Sequence, residues 1–171
     1  HAVQDGLSAA LYVILPVVSQ TLGLNFSQLG ILRSVNNGAM ALFEMSSGIL
    51  AERLGERNLL VFGLVCAGLG YIGLVYADTI WFIGFCLLVV GLGGAFQHAL
   101  SSSIVSSTFD YKGRRSALGL YNSSGDSGKL TFTALFSLAA GYGIAWQGVA
   151  GAFGVVALMG AGAVFFTLFM V

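Results

Sequence analysis

The stretch Thr79–Phe109, TIWFIGFCLLVVGLGGAFQHALSSSIVSSTF, contains no Asp, Glu, Lys or Arg. About 20 apolar residues in a helix cross the ~30 Å hydrocarbon core of a bilayer, so this run is long enough to span one with residues to spare. Further runs free of those four residue types cover 6–32, 58–77 and 130–171. The last is too long for one span and is interrupted by Gly141, Tyr142 and Gly143. Together the runs predict an all-α, polytopic membrane fold of six transmembrane helices, near 2–22, 27–51, 58–77, 80–107, 115–140 and 146–171.

The expected breaks fall at Gly23–Phe26, Glu52–Arg57, Ala77–Thr79, Phe109–Arg114 and Gly141–Ala145. Asn25 or Ser27 is suited to cap the second helix and Asp78 or Thr79 the fourth, because their side chains accept hydrogen bonds from otherwise unpaired amides. The chain opens on His1 rather than Met and ends in the apolar run Phe165–Val171, which suggests a segment of a longer protein.

Composition agrees with the runs. Hydrophobic residues make up 57% of the 171 and charged residues 8%, whereas a soluble domain carries roughly 25% charged residues. Seven acidic and seven basic residues cancel, so no overall charge draws the chain to nucleic acid, and the lipid bilayer is its expected surrounding. Cys66 and Cys86 lie in apolar runs without CxxC or Cys/His spacing, which argues against a disulfide framework or a metal site. With only two histidines, at 1 and 98, a bis-His haem or a metal-dependent site would have to rely on ligands widely separated in sequence. No metal or cofactor is expected.

Charge placement sets an expected orientation. Arg53 and Arg57 fall in the second connection and Lys112, Arg114 and Arg115 around the fourth, while the first, third and fifth lack Lys and Arg. By the positive-inside rule those two connections are cytoplasmic, and both ends of the segment are too. Six spans with both ends inside suit one half of a two-half transporter, built from two inverted three-helix repeats that meet near Ala77.

An ionisable group within hydrocarbon costs about 2.5–3.5 kcal/mol on insertion scales, so each one needs a partner, a wet cavity or a function. The third and sixth helices hold none between their ends. The first carries His1 and Asp5, the second Arg33 and Glu44, the fourth His98, and the fifth Asp126 and Lys129, so these four helices are expected to line the interior. Asn122, Asp126, Lys129 and Thr133 share one stripe of the fifth helix, with Asp126 roughly 16 Å from its start. Asp126 and Lys129 can pair. That pair is either a structural bridge or a binding point where substrate or a proton competes for one partner.

Arg33, Asn37 and Glu44 share a face of the second helix, about 16 Å separating the two charges. Arg33 is placed either to snorkel to headgroups or to bind an anion. Glu44 suits a protonatable carboxylate or a neutral inter-helix hydrogen bond. His1 and Asp5, four apart, read as an interfacial pair at the inner end of the first helix, with Tyr12 and Ser19 continuing the polar stripe. Gln97, His98 and the serines after them complete the polar inventory. Gly125-Asp126-Ser127-Gly128 looks like a serine-protease sequence, but it lies in a predicted span without strand context or a His–Asp partnership. An enzyme is not expected.

Gly48-Ile-Leu-Ala-Glu-Arg-Leu-Gly-Glu-Arg57 resembles the G-x-L-a-D-r-x-G-r-k motif between the second and third helices of the major facilitator superfamily. Gly48, Leu50, Arg53, Gly55 and Arg57 match; Glu52 replaces the usual Asp and Glu56 a basic residue. His1 with Asp5, the segment His98–Ser103, Gly113-Arg114-Arg115 and the Gly-rich fifth helix look most like the fosmidomycin-resistance branch of efflux carriers. The resemblance implies the amino-terminal half of a twelve-helix carrier in a bacterial inner membrane, partnered by a second six-helix half. It further implies a proton- or ion-coupled carrier, such as an antiporter, moving a small molecule or ion by alternating access. Gly48, Glu52, Arg53, Gly55 and Arg57 would form its cytoplasmic gate. Asp126, Lys129, Glu44, Arg33, Asn37, His98, Asp5 and Asn122 are the expected substrate or coupling-ion contacts. The alternative is a membrane assembly or sensor module that keeps the fold without transporting.

Overall fold

The computed structural model describes residues 1–169, and they form six helices: α1 Ala2–Leu22, α2 Phe26–Leu54, α3 Glu56–Leu74, α4 Ile80–Thr108, α5 Tyr111–Gly141 and α6 Trp146–Phe169. Residues 170 and 171, at the end of the expected sixth span, and the side chains of Tyr111, Lys112, Leu168 and Phe169 lie outside the described residues. α1, α3, α4 and α6 are long and apolar enough to cross a membrane unaided. α2 and α5 are long enough but carry the charges that dilute their hydropathy.

Two breaks are far shorter than the sequence predicts. Between α2 and α3 only Gly55 is non-helical, at φ 85, a backbone conformation that a side chain would strain. The charged residues Glu52, Arg53, Glu56 and Arg57 stay helical, because charge alone does not interrupt a helix when its side chains reach solvent, as those of Glu52, Arg53 and Arg57 do, or a polar partner, as Glu56 does at Ser103. Between α4 and α5 only Phe109 and Asp110 intervene. α3 ends at Leu74 rather than Ala77, since Val75, Tyr76 and Ala77 close it with tighter turns. At the start of α2 the cap is Asn25, which receives the Gln28 amide at 2.8 Å while the Gln28 side chain accepts from the Asn25 amide at 2.9 Å. Ser27 falls inside the helix. Thr79 caps α4 through the Phe82 amide.

α2 packs along α4, α5 along α1, and α3 runs against both α4 and α6. Exchanging α1 for α4, α2 for α5 and α3 for α6 carries the α2–α4 pair onto α5–α1 and returns α3–α6 to itself, as two inverted three-helix repeats would, although the extensive α3–α4 contact has only a sparse α6–α1 counterpart. Close approaches depend on glycine. A Cβ on Gly63 of α3 would sit 2.8 Å from the Gly93 carbonyl oxygen of α4. At the α1–α5 seam, a Cβ on Gly128 would fall on the Ala2 carbonyl. Small residues permit this approach, and dispersion across the seam then holds the helices together. The apolar core gathers Leu7, Ile14 and Val18 of α1 with Tyr71, Leu87, Val90 and Phe153, and the Tyr71 hydroxyl donates to the Leu7 carbonyl oxygen.

Candidate functional site

The Gly128–Ala2 approach sets the register of α1 against α5. The first turn of α1 lies beside the middle of α5, so Asp5 is not at an exposed helix end. It is 4% exposed and sits among groups from three helices. The interfacial pair expected from sequence is therefore a buried cluster. Gly125 makes room for it, since a Cβ there would lie 2.5 Å from Asp5 Oδ2 and 2.6 Å from His1 Nε2.

Three nitrogens face the Asp5 carboxylate. Lys129 Nζ is 3.3 Å from Oδ2, His1 Nδ1 is 3.5 Å from Oδ1 and His98 Nδ1 is 3.9 Å from Oδ1. Oδ1 receives no hydrogen bond from the described residues, so both imidazoles face it from just beyond bonding range. Lys129 Nζ also donates to Asp126 Oδ1 at 3.0 Å. The ammonium thus joins a buried carboxylate to one that is 74% exposed. Two carboxylates and one ammonium carry a net charge of −1 when both imidazoles are neutral. One added proton makes the cluster neutral.

Around this centre the His1 ring stacks on Tyr121, centroids 3.7 Å apart, and meets the His98 ring edge-on at 6.2 Å. Tyr121 is not legible as a site residue on charge alone, although 121, 125 and 129 are spaced by four and share a helix face. Gln4 is likewise absent from the sequence-based set. It is fully buried, its amide has no partner among the described residues, and it lies by Gly94 of α4, which also approaches Met40 of α2.

The remaining expected residues divide. Arg33 stacks on Tyr12, with Cζ 3.5 Å from the ring centroid, and faces a cleft between α1, α2 and α4. Asn37 and His98 line the same cleft, so His98 touches both it and the Asp5 cluster. Asn122 is exposed on the Asp126 face of α5. Glu44 is exposed farther along α2 and joins neither group. At the end bearing the basic connections, Gly48, Glu52 and Glu56 line an open hollow of about 500 Å³ with Ser103, whose hydroxyl donates to Glu56 Oε1 at 3.4 Å. Arg53 and Arg57 are exposed beside it. Among the described residues no group of three or more His, Cys, Asp or Glu side chains is placed to hold a metal ion.

Residues 2–171 match the family model described as Major Facilitator Superfamily. The chain is 28% identical, over 163 residues, to an uncharacterised MFS-type transporter YfnC of Bacillus subtilis (strain 168), covering 93% of this chain and 40% of that protein. It is 33% identical over 132 residues to the tetracycline resistance protein, class G, of Vibrio anguillarum, covering 75% of this chain and 34% of that one. The chain thus spans well under half the length of either relative. The family match over residues 2–171, with six helices related as inverted repeats, makes this chain a member of the major facilitator superfamily of membrane transporters.

Proposed function

We propose that this chain is one half of a secondary carrier that moves a small solute by alternating access, coupled to protons or another ion. The observation that carries the proposal is the Asp5 carboxylate, buried between helices and shared among Lys129, His1 and His98. A structural ion pair in hydrocarbon is satisfied by one partner. Here Lys129 is divided between Asp5 and Asp126, so one ammonium faces two carboxylates. A proton on Asp5 would free Lys129 for Asp126 alone and loosen the link between α1 and α5. A proton or substrate at this point therefore acts on a helix–helix contact, which is what coupling requires.

The second six-helix half, from the same chain or a partner, would close the site from the exposed faces of α2 and α5. Glu52, Arg53 and Arg57, with Gly48 and Gly55, would clamp that half at the cytoplasmic side, Gly55 supplying the tight turn. The five cations in or beside the α2–α3 and α4–α5 connections support a cytoplasmic placement of that end, and the bacterial relatives support an inner membrane. One relative is named for tetracycline resistance, which favours efflux as the direction of transport.

The test is counterflow and gradient-driven flux in proteoliposomes holding the full-length protein, screened against a solute panel. Asp126→Asn and Asp5→Asn should abolish gradient-driven flux while elution and melting show a folded protein. Flux unchanged in both variants would remove the cluster from the mechanism. Absence of any flux, together with a stable complex with another membrane protein, would support the assembly or sensor reading instead.

A further inference from the structure

The cleft between α1, α2 and α4 has a chemistry of its own. Its polar lining is Ser8 and Tyr12 of α1, Arg33, Asn36 and Asn37 of α2, and His98 of α4, around about 90 Å³ of space. No carboxylate lines it. Among the described residues no carboxylate forms an ion pair with Arg33, whose guanidinium stacks on Tyr12. A ring over the guanidinium face holds the side chain in place while leaving its N–H donors at the edge uncommitted. A half-buried cation in a span is costly unless a counter-charge meets it.

The neighbouring groups separate into wall and donor. Asn36 gives its amide to the Leu87 carbonyl oxygen at 2.9 Å and so pins α2 to α4. The Asn37 amide and the Ser8 hydroxyl have no such partner among the described residues and line the cleft with Arg33. The resulting set is rich in donors and positive, around a small cleft. Glu44, which could have recruited a cation, lies outside it.

Resting on the transporter reading, we propose that this cleft is an oxyanion subsite that takes a single carboxylate or phosphate group of the transported solute, gripped by Arg33 with Asn37 and Ser8. The Arg33 fork meets the two oxygens of the head, and Asn37 and Ser8 supply lateral hydrogen bonds. His98 forms the far wall, which places the bound anion beside a group that also faces Asp5. The solute head and the carboxylate cluster are therefore in reach of one imidazole.

The experiment is equilibrium binding to the full-length protein in phosphatidylcholine nanodiscs, with benzoate and phenyl phosphate as anionic probes and benzylamine as a cation of similar shape. Both anions should bind and benzylamine should not. Arg33→Gln should weaken anion binding at least tenfold, the order expected when a charged hydrogen-bond partner is lost, and Arg33→Lys should fall between. Nanodiscs containing phosphatidylglycerol distinguish the sources of the anion. Stabilisation by that lipid, lost in Arg33→Gln, would identify a headgroup occupant of the same subsite, and probe binding in its absence a soluble one. If Arg33→Gln fails to fold, Asn37→Leu is measured instead, with the same direction expected. Anion binding indifferent to these variants, preference for benzylamine, or no anion effect in either lipid would overturn the subsite. Flux of a cationic solute without anion binding would overturn the subsite alone. Anion binding without any gradient-driven flux would overturn the transporter reading and leave the subsite standing.

Discussion

Lys129 Nζ lies 3.3 Å from Asp5 Oδ2, joining residues 124 positions apart in sequence where the first turn of α1 meets the middle of α5. The same ammonium reaches Asp126 at 3.0 Å, yet the two bonds differ in kind because Asp126 is 74% exposed and Asp5 4%.

Removing the ammonium should therefore cost more than removing its exposed partner. Lys129→Met should destabilise the protein by about 2 kcal/mol, below the ~3–5 kcal/mol of a fully buried pair because Lys129 is half exposed, while Asp126→Asn should cost about 0–1 kcal/mol. Lys129→Met with Asp5→Asn should recover part of the loss. Cys66 and Cys86 are buried and free, so a thiol-reactive dye followed during heating reports unfolding directly. Equal melting of the two single variants would contradict the ranking.

Glycines on α5 should respond in opposite directions to Ala. Gly128→Ala drives a methyl into the Ala2 carbonyl and should lower stability by about 1–3 kcal/mol, the range for overpacking. A methyl added at Gly119 would meet no atom within 4 Å, so Gly119→Ala should raise stability by about 0.5–1 kcal/mol through helix propensity. Loss of stability at Gly119 would reveal a second half packed against that face.

The turn between α2 and α3 allows a similar check. Gly55 adopts φ 85, and Gly55→Ala should cost about 1–3 kcal/mol of backbone strain. Gly48, with nothing within 4 Å of an added Cβ, should accept Ala at no cost to melting. A flux defect in Gly48→Ala at unchanged melting temperature would then locate its role at the contact with the other half.

Tyr71→Phe deletes one buried hydroxyl and should cost about 1 kcal/mol, since the Leu7 carbonyl oxygen keeps its helical partner while the hydroxyl's own bond is lost. Flux per folded molecule should stay at the unsubstituted level. A selective flux defect would place Tyr71 in the moving machinery.

Much of the architecture is legible before folding. The helices expected at 2–22 and 80–107 come within a residue of those formed, and the connections expected at Glu52–Arg57 and Phe109–Arg114 shrink because exposed charges remain helical there. The Asp126–Lys129 pair is legible too, as a spacing of three on one helix. Asp5 reads as interfacial because a sequence gives no depth to a residue near its first position. Tyr121, neutral and aromatic, carries no charge signal.

Membrane residence and helix count follow from the sequence alone, because apolar length is a local sum that does not depend on which helices touch. Which charges meet is a different kind of property. Only the tertiary structure decided that Asp5 joins Lys129 and His98, that Arg33 faces Tyr12, and that Glu44 is left outside both groups. The reason is register: the absence of side chains at Gly125 and Gly128 lets α1 settle against the middle of α5, and that one approach sets the depth of every polar group on α1.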